Sequence, residues 1–146
     1  MATMRRQGRT FAVQMLYQLE MEPPVGETGF PAFWRGQGAS RKLRAFTEEL
    51  VEATRTHQAA IDETLRSHLT EWRLERLPVV VRAILRLAAC ELTILRSEPR
   101  AAIINEAVDL TRAFQDAESA SFVNAVLDKF PQVPPPAAAP AGEEEG

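Results

Sequence analysis

The chain has 146 residues, 45% of them hydrophobic and 25% charged, with a formal net charge of −3. That is the composition of one ordinary globular domain, and it excludes a polycation that coats nucleic acid indiscriminately. One cysteine, Cys90, excludes an intramolecular disulfide and a thiolate metal cluster, and no apolar run approaches the roughly 20 residues of a membrane span.

The apolar spacing is helical almost throughout. Phe11, Ala12, Met15, Leu16 and Leu19 make one face of a first helix, which Pro23 and Pro24 end. Residues 23–38 form a Pro/Gly-rich connection whose Phe30, Phe33 and Trp34 cover part of the core. Ser40 suits the N-cap of the next helix, with Leu43, Phe46, Leu50 and Val51 on its buried stripe. Ile61, Leu65 and Leu69 continue the spacing, as a third helix or after a bend. Pro78 suits the first turn of a long helix lined by Val81, Ile84, Leu85, Ala88, Leu92 and Leu95 and closed by Ser97-Glu98-Pro99. Ala107, Val108, Leu110, Thr111 and Phe114, with Ile103 or Ile104, pattern another. Ser119 can cap the last helix, whose face holds Phe122, Val123, Val126, Leu127 and Phe130. The sum is an all-α fold, a compact bundle of six or seven helices over residues 1–130. Residues 131–146, Pro/Ala-rich and then acidic through Glu143, Glu144 and Glu145, read as a disordered tail.

Catalytic patterns are missing. There is no phosphate-binding glycine motif; Gly36 and Gly38 lie in the loop without that context. His57 and His68 are eleven residues apart with no third ligand nearby, so no metal site is expected. Cys90 sits among apolar residues as a core side chain, and the pairs Glu48/Glu49 and Glu71/Glu75 fit solvated helix faces. The expectation is a protein without enzymatic activity or cofactor. The lone cysteine fits a reducing compartment, and the expected location is cytoplasmic. An Arg-rich, acid-poor start also occurs in mitochondrial presequences, but the structural helix that these residues also make is the favoured reading.

The sharpest feature is that start. Arg5, Arg6 and Arg9 precede the first acid, Glu20. On one helix they fall within an arc of about 100°, so three guanidiniums would project together. Each can donate paired hydrogen bonds to phosphate or stack on a base. The competing reading is a solvated basic end that binds nothing. Three cations oppose the helix dipole there by roughly 0.3–1 kcal/mol each, which argues mildly for a function.

Several segments resemble the NusB family. Arg82-Ala-Ile-Leu-Arg-Leu-Ala-Ala-Cys-Glu-Leu92 is similar to the family's long-helix signature, and Ala102-Ile-Ile-Asn-Glu-Ala107 to its INEA segment. Phe122-Val-Asn-Ala-Val-Leu-Asp-Lys129 matches FVN-x-VLDK, and Arg5-Arg6-Gln-Gly-Arg9 followed by Ala12-Val-Gln-Met-Leu-Tyr17 resembles the arginine-rich start. The resemblance implies two helical subdomains and binding to boxA RNA in ribosomal RNA leaders. The implied partners are the ribosomal protein NusE and the RNA polymerase antitermination complex. Carried over residue by residue, Arg5, Arg6 and Arg9 stand at the RNA-contacting motif, and Glu118 and Ser119 at an acidic-Ser pair near the RNA. Phe122 can stack on a base, though its place in the apolar stripe favours the core. Asn105 and Asn124 are expected to hydrogen-bond between helices, and Glu91 to do the same. For NusE, the candidate is an exposed face of the long helix bearing Arg82 and Arg86. Two rival readings remain at this level: an accessory domain of a ribosomal RNA cytosine methyltransferase, and a structural adaptor that binds protein and no RNA.

Overall fold

The computed structural model describes residues 2–22 and 29–131. Residues 23–28 of the first connection and 132–146, most of the expected tail, lie outside the described residues. The described part is all-α, with helices α1 (Ala2–Met21), α2 (Gly29–Trp34), α3 (Arg41–Thr56), α4 (Gln58–His68), α5 (Val79–Cys90), α6 (Arg100–Phe114) and α7 (Ala117–Asp128). A 3-10 turn (Leu74–Arg76) precedes α5, and a π-helical turn (Glu91–Leu95) extends it.

Helix α5 is the axis. Val81 through Leu92 are buried at every position except Arg86, which is nearly so. It packs against an α1–α3 pair and an α6–α7 pair, and it touches α4 as well. One continuous core runs from Ala12 and Val13 through Leu50, Leu65, Leu85 and Leu87 to Val123 and Leu127. The expected long helix is therefore present, but its last turn is wider than α-helical: the Arg96 N–H reaches the Glu91 carbonyl at 2.8 Å. Arg96 then turns left-handed at φ 51° and ends the helix before Pro99.

The caps show where the chain turns. Ser40 accepts from the Leu43 N–H at 3.1 Å and starts α3, as expected. The cap of α7 is Asp116, whose Oδ1 accepts from the Ser119 N–H at 2.7 Å. Ser119 is thus inside the first turn and not the cap. His57 separates α3 from α4, which settles the bend as two helices. Within the expected connection the chain forms α2, so that stretch is partly helical. Its aromatics do cover core: Phe11, Phe33 and Trp34 meet edge to face at 5.0–5.9 Å, and Trp34 Nε1 donates to Glu48 at 2.7 Å. Gly36 and Gly38 follow at φ 80° and 67°, a left-handed backbone that suits glycine.

Gly8 lets α1 approach α3. A Cβ there would overlap the Phe46 ring. The predicted outcome of Gly8→Ala is a lower Tm. Overpacking costs about 1–3 kcal/mol and outweighs a helix-propensity gain of about 0.8–1 kcal/mol. In a Phe46→Ala background the same substitution should be neutral or stabilising, because only the propensity gain is left. A thermal-melt cycle of the four proteins checks the sign.

Cys90 is fully buried, and burial pushes its thiol up to about 11. The folded pKa lies above the unfolded one, so this group favours the fold at neutral pH, and the contribution fades as pH rises toward 11. At pH 8 the native protein should be silent to a thiol reagent such as Ellman's and react only as fast as it unfolds. Rapid native labelling would contradict the buried placement.

Candidate nucleic-acid interface

Helix α1 reaches back past Arg5, so the three arginines do share one helix end. Burial then separates them. Arg9 is 4% exposed, and its Nε and Nη2 donate to the two oxygens of Glu91, each at 2.8 Å. Burial opposes the Arg9 charge, and the bonded Glu91 carboxylate overcomes that, leaving its pKa raised. Glu91 is itself buried at 2% and stands in the π-helical turn. Arg9 therefore does not project with the other two. It is a link between α1 and α5, and the expectation that it contacts RNA is corrected: breaking a buried pair leaves a naked charge in the core.

Arg6 remains 54% exposed while it bonds to α6. Its Nε donates to Glu106 Oε1 at 3.2 Å, and its Nη2 donates to Glu106 Oε2 and Asp109 Oδ2 at 2.9 Å each. The Glu106 hydrogen bond, with the charges of Glu106 and Asp109, raises its pKa further. Arg5 is 42% exposed, pairs with Glu98, and lies 5.1 Å over the Phe46 ring. Exposed pairs of this kind are worth roughly 0–1 kcal/mol, so a phosphate can replace the carboxylates at little cost. The same acids hold the two guanidiniums in place and offset their conflict with the α1 dipole.

Arg82 and Arg86 do not form an exposed face. Arg82 is 8% exposed; its Nη1 donates to the Leu77 carbonyl at 3.0 Å and its Nη2 to Glu20 at 2.7 Å. Arg86 grips Asp62 through two bonds of 2.7 and 2.9 Å and reaches Glu20 at 3.3 Å. Both brace α1, α4 and the 3-10 turn against α5, so neither is free for a partner. Asn105 and Asn124 are exposed, so they are not the buried interhelical bonders expected. Glu91 does make such a bond, with Arg9.

The first two turns of α7 present the remaining candidates together. Glu118 is exposed, Ser119 half-buried, and Phe122 half-buried against the core. These three line a cleft of about 370 Å³ with Trp72, Leu77, Pro78 and Val81. Trp72 was not legible as a site residue, because it sits in an aperiodic stretch; its only signal was an aromatic outside every apolar stripe. It is 58% exposed and meets Phe122 edge-on at 6.2 Å. Tyr17 and Met21, one turn apart on α1, are also exposed, at 42% and 53%. Among the described residues no cluster of metal-binding side chains occurs, and no helix is long and apolar enough to cross a membrane.

The NusB family model matches residues 6–132. The transcription antitermination protein NusB of Sorangium cellulosum is 40% identical over 126 residues, covering 86% of this chain and 90% of that protein. That of Lysinibacillus sphaericus is 37% identical, covering 86% and 95%. A chain in the crystal structure of antitermination factors NusB and NusE in complex with dsRNA superimposes with a TM-score of 0.78 at 26% identity, over 88% of this chain and 96% of that one. The solution structure of NusB from Aquifex aeolicus gives 0.73 at 28% identity, over 86% and 85%.

The sorting of the arginines predicts opposite stability effects. Arg9→Ala should cost about 3–5 kcal/mol, the usual penalty for orphaning a buried ionic partner. Arg5→Ala and Arg6→Ala should each stay within about 1 kcal/mol of the parent, as exposed pairs do. Urea unfolding of the three variants measures all of this, and equal losses would mean that the burial difference has no energetic meaning.

Proposed function

The chain belongs to the NusB family, and on that premise we propose that it is a transcription antitermination factor, a binding protein and not an enzyme. It binds boxA RNA together with NusE, within an antitermination complex on RNA polymerase, and so promotes transcription of ribosomal RNA operons. The observation that carries the RNA part is the state of Arg5 and Arg6: pre-positioned by acids on α6 and its approach, yet about half exposed. Phosphates exchange for those acids, and the exposed polar groups of α7, Glu118 and Ser119, meet base edges. A carboxylate there accepts from an amino group such as cytosine N4.

NusE adds surface, and engaging both proteins at once raises the effective concentration of RNA at each. With Arg82 and Arg86 internal, the exposed apolar pair Tyr17 and Met21 is the better candidate for its contact. Exposed aromatic and methionine side chains are the types enriched at interface centres. The relatives named above are matched over nearly their full length and carry antitermination names, which supports this reading over a methyltransferase accessory domain.

Fluorescence anisotropy of labelled boxA RNA against a scrambled RNA, with and without NusE, tests it. The expected result is tighter binding to boxA, strengthened by NusE and weakened by salt. Joint Arg5→Ala and Arg6→Ala substitution should weaken binding and flatten the log–log salt dependence by roughly 1.4 units, about 0.7 per phosphate contact on a single strand. Equal or absent binding to both RNAs with NusE present would leave the protein-only adaptor as the better account.

A further inference from the structure

Arg5 and Arg6 differ in what holds them. The Arg6 guanidinium bonds to two carboxylates, Glu106 and Asp109. The Arg5 guanidinium pairs with one carboxylate, Glu98, and also meets a ring: its Cζ lies 5.1 Å from the ring centroid of Phe46 on α3. The Arg9 Cζ lies 5.9 Å from the same centroid. Arg5 and Arg9 stand four residues apart on α1, so the helix stacks them on one face, and a single ring of α3 serves both. Among the described residues no ring lies over the Arg6 guanidinium.

The ring itself is held in place. Its neighbour Arg9 is locked to Glu91 by two bonds of 2.8 Å. Gly8, between the two arginines in the chain, lets the ring lie against α1, because a Cβ there would overlap Cδ2 and Cε2 of Phe46. Glycine inside a helix is costly relative to alanine, and the ring is what occupies the space that it leaves. Core packing alone does not account for Phe46. Leu43, Leu50 and Val51 of the same stripe are buried, whereas Phe46 is only half-buried. It sits where two guanidiniums of α1 converge.

We propose that Phe46 is the positioning residue for Arg5 in RNA binding: it keeps the guanidinium in place while a phosphate takes over from Glu98. This deepens the RNA reading above and rests on it. A carboxylate carries the same sign of charge as the incoming phosphate, so the two repel each other and compete for the cation. An aromatic face attracts the cation through its quadrupole and carries no net charge, so it has no need to leave. RNA that covers the contact also excludes water, and a desolvated cation–π contact is stronger than an exposed one. Immobilising one long side chain at an interface costs roughly 2- to 10-fold in affinity. Phe46 orders Arg5 before RNA arrives and offsets part of that. Arg6, held by carboxylates, loosens as they are displaced.

A double-mutant cycle in boxA RNA affinity tests this. Phe46→Leu keeps an apolar side chain in the α3 stripe and should weaken binding about two- to fivefold, the scale of one exposed cation–π contact. Phe46→Tyr keeps the ring and should stay close to the parent. In an Arg5→Ala background Phe46→Leu should change nothing, whereas in an Arg6→Ala background its full effect should persist. An equal loss in the Arg5→Ala background would mean that Phe46 acts through the fold, by way of Arg9 or the α1–α3 contact, and overturns the proposal. No loss in the parent overturns it too, and in both cases the broader RNA reading stands. A second measurement needs neither a variant nor RNA: NMR relaxation at the Nε of Arg5 and Arg6 as salt is raised. Salt screens exposed carboxylate pairs, with a Debye length of about 3 Å at 1 M. Arg5 should stay ordered on its ring while Arg6 loosens, and equal loosening of the two refutes the role of Phe46. No RNA binding by any form overturns both readings.

Discussion

The placement of α1 on α5 depends on one buried ion pair, Arg9 with Glu91. Each of its two bonds is 2.8 Å long, and both side chains are within a few per cent of full burial. Such a pair adds little net stability, because desolvating two charges offsets most of their attraction. What it does supply is an orientation. An apolar contact tolerates sliding or rotation of α1, whereas a two-pronged charged contact in the core tolerates neither without a large penalty. The π-helical turn contributes as well: it widens the end of α5 where Glu91 stands, in register with Arg9. Local π turns of this kind recur at sites where a helix must offer one side chain out of sequence.

Everything proposed for RNA follows from that orientation. With Arg9 pinned, Arg5 and Arg6 emerge beside Glu98, Glu106 and Asp109, which belong to the α5–α6 link and to α6. Those acids make a basic helix start tolerable in the free protein and hold its guanidiniums extended. The two guanidiniums stay about half exposed, so a phosphate can reach them. The protein thus uses one residue type in two ways, separated by water access. Arg9, Arg82 and Arg86 are internal braces, and Arg5 and Arg6 are the proposed exchangeable contacts.

Much of the fold was legible because apolar spacing reports the buried face of a helix directly. The stripes of α1, α3, α5, α6 and α7 are where the periodicity places them, except that Phe114 at the end of α6 is exposed, and Ser40 caps α3. Arginine was misread because its charge suggests a surface. The signal against that was present: Arg9 stands three and four residues before Ala12 and Val13, both fully buried, so it continues their face. Arg82 bears the same relation to Leu85, and Arg86 to Ala89 and Cys90. The cap of α7 was placed three residues late because Asp116 precedes the first buried position, Ala120, by a full turn. The π turn leaves no mark in the periodicity, and Trp72 lies where no periodicity exists. Pairing between acids and arginines distant in sequence is a tertiary property, and only the fold shows which guanidiniums are already satisfied.

The most direct test of this division is to replace the buried pair as a unit, Arg9→Met with Glu91→Leu, and to measure both unfolding and boxA RNA affinity. Apolar side chains of similar volume can occupy such a site without loss of stability. The account predicts a protein that folds as stably as the parent but binds RNA about tenfold more weakly, a loss of roughly 1.4 kcal/mol, because α1 no longer has a fixed orientation. A variant that folds as stably as the parent and binds RNA just as tightly would contradict it, and would mean that apolar packing alone orients α1.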